Sequence, residues 1–309
     1  MTEPDLDPQR FEIQHFDGRG FRQAYVRHNP GGVPLLLVHG WPETKRVWWR
    51  VIEPLAAVGF EVIVPDLRGF GDSEVGPGRH MDPPVHARDL HALVTEELGH
   101  ERVVLAGGDL GGPVVQDLAN RFPGTVERMV LFNCPVPGIG RSDGGHVWSS
   151  SLDYFVRQGT DPDGLMAELA TASARVAYVA AFYTSRFWAH DGAFDTASAR
   201  FHAEPFADAD HLRAGFSVYE AAFDETARSE RTMLAPNADV TTLILYGPSD
   251  RVLPTTFDRD AAAAFADHVG PFLLRDCGHF VPWEAPHAFV SGVAAFCGDL
   301  LAAADGPAG

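Results

Sequence analysis

The stretch "LAGGDLGG", residues 105–112, sets one acidic side chain, Asp109, among small residues between an apolar run and a helix-like segment. Such a pattern suits a sharp strand-to-helix elbow, which holds one side chain in strained geometry where it can attack a substrate. The competing role for Asp109 is to cap the helix that follows. Two later residues supply partners for a nucleophile. Asp250 follows the apolar run "TLILY", at the carboxyl end of an expected strand. His279 lies in a Gly-containing loop after "PFLL". An imidazole can act as a base, and a carboxylate can orient it and stabilise its charged form. The plainer alternatives are a turn residue for Asp250 and one of 14 ordinary histidines for His279.

A carboxylate in this position restricts the electrophile. A serine attacking a saturated carbon would leave an ether, which water does not readily cleave. Asp109 attacking the same carbon leaves an ester whose carbonyl belongs to the protein and is open to water. An epoxide or an alkyl halide is therefore the expected electrophile, and the covalent route splits one hard displacement into two easier steps. His279 would activate the water and Asp250 would orient His279. The loop "HGWP" after an apolar run can supply a backbone N–H to a developing oxyanion, and the residue after the nucleophile can supply another. Those donors are the N–H groups of Trp41 and Leu110. His39 reads as a structural hydrogen bonder.

These residues need a scaffold. "FEIQHF" and "FRQAYVRH" read as a hairpin, and "VPLLLVHG", "FEVIVP", "RVVLAGG", "VERMVLFNC", "TTLILYG" and "GPFLLRD" as strands. Helical spacing occurs in "KRVWWRVIEPLAAVG", "HARDLHALVTEELG", "GPVVQDLANRFPG", "TTFDRDAAAAFADH" and "PHAFVSGVAAFCGDLLAA". Short apolar strands alternating with amphipathic helices predict an α/β fold, with a mostly parallel sheet flanked by helices. The rhythm stops near Cys134 and resumes after about 100 residues rich in Ala, Phe, Tyr and Trp. That insertion is too long for a loop and predicts a helical lid. The expected organisation is a core over 1–134, a lid over 135–235 and the rest of the core over 236–309.

A net charge of −18 argues against nucleic acid or an anionic membrane as partner. No apolar stretch approaches the roughly 20 residues of a membrane span, and "MTEPDLDPQR" is not a secretory signal. Cys134, Cys277 and Cys297 form no framework, which suits free thiols in the cytoplasm. The histidines have no metal-ligand spacing, and no nucleotide-binding glycine pattern occurs, so neither metal nor cofactor is expected.

Five stretches occur in order: "HGWPET" (39–44), "DLRGFGDS" (66–73), "GGDLGG" (107–112), "YGPSD" (246–250) and "CGHFVPWEAP" (277–286). Together they resemble α/β-hydrolase fold enzymes, most closely the epoxide hydrolases, over nearly the whole chain outside the lid. The resemblance implies a cis Trp41–Pro42 bond and lid tyrosines that protonate the leaving oxygen. "RAGFSVYEAAF" resembles the second lid-tyrosine helix and implies Tyr219. "LDYFVRQG" resembles the first lid segment less well and implies Tyr154, with Ser151, one turn earlier, as the competing position. Tyr178 and Tyr183 are expected to pack. A second acid position known in relatives holds Asn133 here, which favours Asp250. The residue before the nucleophile, often His in epoxide hydrolases, is Gly108. Haloalkane dehalogenases place Trp after the nucleophile, where this chain has Leu110, and "GGPVVQD" lacks the Arg of fluoroacetate-type enzymes. The expected activity is opening of a hydrophobic epoxide to a vicinal diol. A haloalkane or haloacid dehalogenase, or a non-catalytic ligand-binding relative, stays open. The expected partner is a small hydrophobic molecule, with a homodimer left open.

Overall fold

Strands buried on both faces carry nearly unbroken apolar runs, and the centre of this sheet is built from such runs. A computed structural model of the chain describes residues 3–78, 80–139, 152–235 and 239–304. Its eight strands are β1 (Gln14–Gly18), β2 (Phe21–His28), β3 (Val33–Val38), β4 (Phe60–Pro65), β5 (Val103–Gly108), β6 (Val126–Phe132), β7 (Thr242–Tyr246) and β8 (His268–Leu273). They form one sheet in the order β1-β2-β4-β3-β5-β6-β7-β8. From β4 to β8 the neighbours are parallel, while β2 runs antiparallel to both β1 and β4. Every residue of β4 and β5 is buried. β8 forms the far edge, and its Phe272 and Leu273 are exposed.

Core helices are α1 (Ile52–Ala57), α2 (Pro83–Ala92) and α3 (Gly111–Arg121). Between β6 and β7 the chain carries α4 (Asp153–Thr160), α5 (Pro162–Glu168), α6 (Ala172–Thr184), α7 (Thr196–Ala203), α8 (Ala209–Gly215) and α9 (Ser217–Phe223). After β7 come α10 (Phe257–Ala264), α11 (Val281–Glu284), α12 (Pro286–Phe296) and α13 (Gly298–Ala304). Among the described residues no single helix is long and apolar enough to cross a membrane.

Two helices expected to be continuous are broken. The segment 45–59 is a short 3-10 turn over Lys45–Trp48 followed by α1. Restarting at Ile52 puts Pro54 in a first turn, where its missing N–H costs nothing. The last helix breaks at Cys297, next to Gly298, a poor helix former.

The carboxyl ends of β3, β5, β6, β7 and β8 all feed the loops that carry Trp41, Asp109, Asn133, Asp250 and His279. This is the edge at which open α/β sheets place their ligands.

Candidate active site

Asp109 follows the last residue of β5 and has φ of 45°, in the left-handed region that costs a non-glycine residue about 1–3 kcal/mol. The surrounding glycines make room for this turn. A Cβ on Gly111 would stand 2.2 Å from the Val38 carbonyl oxygen. One on Gly108 would stand 2.1 Å from the Phe132 ring, so the space beside this residue is filled by an aromatic from β6. The Asp109 N–H donates to the Asn133 carbonyl at 3.0 Å, tying the elbow to the next strand.

The three candidate residues come together above the strand ends. His279 Nδ1 lies 2.8 Å from Asp250 Oδ2, and Nε2 lies 3.2 Å from Asp109 Oδ2. His279 and Asp250 are buried, while 16% of the Asp109 side chain stays accessible. Burial alone would favour a neutral imidazole, but Asp250 and Asp109 outweigh it and push the ring well above its ordinary value of 6.5. As an imidazolium the ring donates from both nitrogens. Asn133 supports Asp250: its Nδ2 donates to Asp250 Oδ2 at 2.8 Å, and its Oδ1 accepts from the Gly247 N–H at 2.8 Å. The Val252 N–H donates to the other Asp250 oxygen at 2.7 Å.

The loop after β3 closes the opposite side. The Trp41–Pro42 peptide is cis, and the Trp41 N–H donates to Asp109 Oδ1 at 2.8 Å. Leu110, just before α3, lines the cavity above Asp109, and its N–H makes no hydrogen bond to another described residue. Those N–H groups can hold an oxyanion built on the Asp109 carboxyl carbon. "DLRGFGDS" anchors this loop from below. The Leu67 N–H donates to His39 Nε2 at 3.0 Å, and buried Lys45 Nζ donates to Asp66 at 2.5 Å and also to Asp72.

Glu43 is buried behind this loop and accepts the Gly40 N–H at 2.6 Å. Burial first, then the nearby Asp109 charge, push its carboxyl from 4.5 up to about 7. Folding therefore disfavours the ionised form. The penalty is absent below the unfolded value, builds as pH rises from 4.5, and is complete above about 7. Glu43→Gln keeps an oxygen for the Gly40 N–H and removes the charge. Its stability relative to the parent is expected to rise across that window by up to about 3 kcal/mol. Thermal melts at acidic and mildly alkaline pH check this. A gain that stays flat across the window would mean that the carboxylate carries no such penalty.

A cavity of about 490 Å³ opens above Asp109, lined by Leu110, Ile139, Tyr154, Phe155, Val218 and Tyr219 among others. Tyr154 on α4 and Tyr219 on α9 face each other there, with ring centroids 6.0 Å apart. Both rings lean on Trp41, at 6.1 and 5.3 Å. Neither hydroxyl bonds another described residue. Burial first, with Asp109 adding for Tyr154 and Tyr154 and Asp109 for Tyr219, holds both phenols protonated well above 10.0. Tyr178 accepts from Gln158, and buried Tyr183 donates to the Pro42 carbonyl at 2.5 Å, so both serve the lid framework. Ser151 lies outside the described residues. A second cavity of about 550 Å³, against α8 and α9, holds none of the candidate residues.

Three residues in the site had no role assigned from sequence. Glu43 stands inside "HGWPET", and Glu284 inside "CGHFVPWEAP". Glu284 accepts the N–H groups of Gly278, Phe280 and His190, at 2.8, 2.9 and 2.8 Å, and so clamps the His279 loop to the lid. Trp188 sits edge-on to the His279 ring at 4.6 Å, and its carbonyl accepts the His279 N–H at 2.8 Å. An acid inside each of those two stretches is the only sequence signal for the glutamates, and Trp188 has none.

Residues 33–286 match the model of the alpha/beta hydrolase fold. The chain belongs to the α/β-hydrolase fold family. The hydrolase is 30% identical over 293 residues to a soluble epoxide hydrolase of Corynebacterium sp. (strain C12), covering 89% of this chain and 94% of that one. It is 28% identical to the 2-hydroxymuconate semialdehyde hydrolase of Pseudomonas sp. (strain CF600), over 94% of this chain and 96% of that one. Among solved structures, the epoxide hydrolase CorEH without ligand aligns with a TM-score of 0.78 at 25% identity, covering 94% of this chain and 100% of that chain.

Proposed function

We propose that this hydrolase opens a hydrophobic epoxide to a vicinal diol through an ester on Asp109. The observation that carries the reading is a carboxylate at the elbow, 3.2 Å from His279, facing two lid phenols across one apolar cavity. The similarity to named epoxide hydrolases supports the same electrophile.

In the first step an Asp109 oxygen attacks an oxirane carbon. The ring C–O bond breaks, and the released oxygen takes a proton from Tyr219 or Tyr154. The His279 imidazolium then returns its proton to the tyrosinate, and in the second step water attacks the ester carbonyl while the neutral ring takes its proton and Asp250 stabilises the imidazolium that re-forms. The N–H groups of Trp41 and Leu110 hold the tetrahedral oxyanion. Collapse breaks the acyl C–O bond and releases a diol whose new oxygen came from Asp109. The departing diol oxygen takes the proton of the new Asp109 carboxyl, which leaves Asp109 ionised, His279 protonated and the cycle closed. The three buried, unpaired thiols suit a cytoplasmic location for this chemistry.

A single turnover of styrene oxide in ¹⁸O-water tests the route. The expected diol carries no solvent label, and Asp109 acquires it. Label in the first-turnover diol would mean direct attack by water and would overturn the covalent reading.

A further inference from the structure

The chain returns from the lid to β7 through a segment without regular structure, residues 228–235. Ser229, Glu230 and the Met233 backbone pin it to the core. The Ser229 N–H and Oγ–H donate to the two Asp82 oxygens at 2.8 and 2.6 Å. Glu230 pairs with Arg88 and Arg121, and the Met233 N–H donates to Asp117 at 2.7 Å. Arg228, Arg231, Thr232 and Leu234 line the cavity that holds Asp109, Tyr154 and Tyr219.

Arg231 stands apart from the arginines around it. Arg88 and Arg121 share Glu230. Arg228 donates to the Ala221 carbonyl at 2.5 Å and lies 3.7 Å from Glu225. Arg231 is exposed and makes no ion pair or hydrogen bond to a described residue. Asp82 also lines the cavity, but both of its oxygens are engaged by Ser229. The remainder of the wall is mostly apolar. A ligand with an apolar body and one anionic end matches this arrangement, since guanidinium binds carboxylate through paired N–H donors.

We infer that Arg231 forms an anion subsite at the rim of the Asp109 cavity, and that the hydrolase prefers epoxides bearing a carboxylate remote from the oxirane ring. The reactive end of this inference rests on the epoxide-hydrolase reading. The anionic end does not, and a non-reactive ligand can test it alone.

Calorimetry compares decanoate with decanamide on the parent chain and on Arg231→Gln, with melting temperature as the folding control. The parent is expected to bind decanoate about fivefold or more tightly at low salt, a margin that shrinks as ionic strength rises. Arg231→Gln should bring the two ligands level, and Arg231→Lys should restore most of the difference. A parallel assay compares an ω-epoxyalkanoate with its methyl ester, and the acid-to-ester ratio of kcat/KM should collapse toward one in Arg231→Gln. Equal affinities in the parent, no binding of either ligand, or a preference that survives Arg231→Gln overturns the subsite. Carboxylate selectivity without turnover of any epoxide leaves the subsite standing and overturns the epoxide reading. Epoxide turnover without selectivity does the reverse.

Discussion

Replacing His279 by Gln is expected to stop the reaction halfway, with substrate carbon left esterified to Asp109. Burial opposes a charged imidazole in the resting protein, yet the carboxylates of Asp250 and Asp109 hold the ring protonated, well above 6.5. An imidazolium accepts no proton, so on the proposed route His279 begins the cycle as an electrostatic partner. Alkylation turns Asp109 into a neutral ester. One of the two anions that held the proton is then gone, and the ring's proton affinity falls at the moment a base is required. The chemistry of the first step thus prepares the second. The amide introduced by His279→Gln could not take the proton of the attacking water, and loss of a general base costs about 10²–10⁴-fold. Ring opening depends on Asp109 and the lid phenols, so alkylation should proceed. Intact-mass measurement after mixing with styrene oxide should find the protein heavier by one substrate. A parent-like rate of diol release, or an absence of adduct in a folded variant, would remove His279 from the water step.

Much of this arrangement could be read from the chain because its signals are local. The elbow is legible in "GGDLGG", since the demand for small residues arises within one turn, where Gly111 must clear the Val38 carbonyl. The core strands are legible because burial on both faces leaves unbroken apolar runs such as "PLLLV" and "EVIVP". The missing parts depend on contacts between distant segments. Glu284 becomes a clamp only because His190, 94 residues earlier, brings an N–H to it. Glu43 has a perturbed carboxyl only because the fold buries it near Asp109. Trp188 reads in the chain as any other lid aromatic and lies against the His279 ring. Helix breaks at Val51 and Cys297 follow from Pro54 and Gly298, whose effect on continuity a periodicity pattern does not register. In the lid the imperfect match of "LDYFVRQG" leaves Tyr154 and Ser151 one turn apart. α4 sets Tyr154 on the cavity wall, stacked on Trp41 at an interplanar angle of 5°.

Tyr219→Phe is expected to slow alkylation of Asp109 by roughly 10²-fold or more, the scale of a lost general acid. Attack by Asp109 moves its negative charge onto the oxirane oxygen, and an unprotonated alkoxide is a poor leaving group. Tyr219 can meet it because its phenol stays protonated: burial, then Tyr154 and Asp109, raise it well above 10.0. The same effects oppose a phenolate, so the proton leaves only for a stronger base, the alkoxide, as alkylation removes the Asp109 charge. Tyr154, 6.0 Å away between ring centroids, is a second donor to the same region. Tyr154→Phe should therefore slow alkylation as well, and the double variant should fall further than either single one. Stability should change little. The Tyr219 hydroxyl bonds no other described residue, so its removal leaves no partner unsatisfied, and the ring contacts with Trp41 and Phe155 at 5.3 and 4.9 Å remain. Single-turnover alkylation by styrene oxide measures the step directly, with melting temperature reporting the fold. An alkyl halide provides the internal contrast, because a halide leaves without a proton and its displacement should be insensitive to the missing hydroxyl. An unchanged alkylation rate with the epoxide in a folded Tyr219→Phe would remove this phenol from the reaction and favour a halide as the natural leaving group.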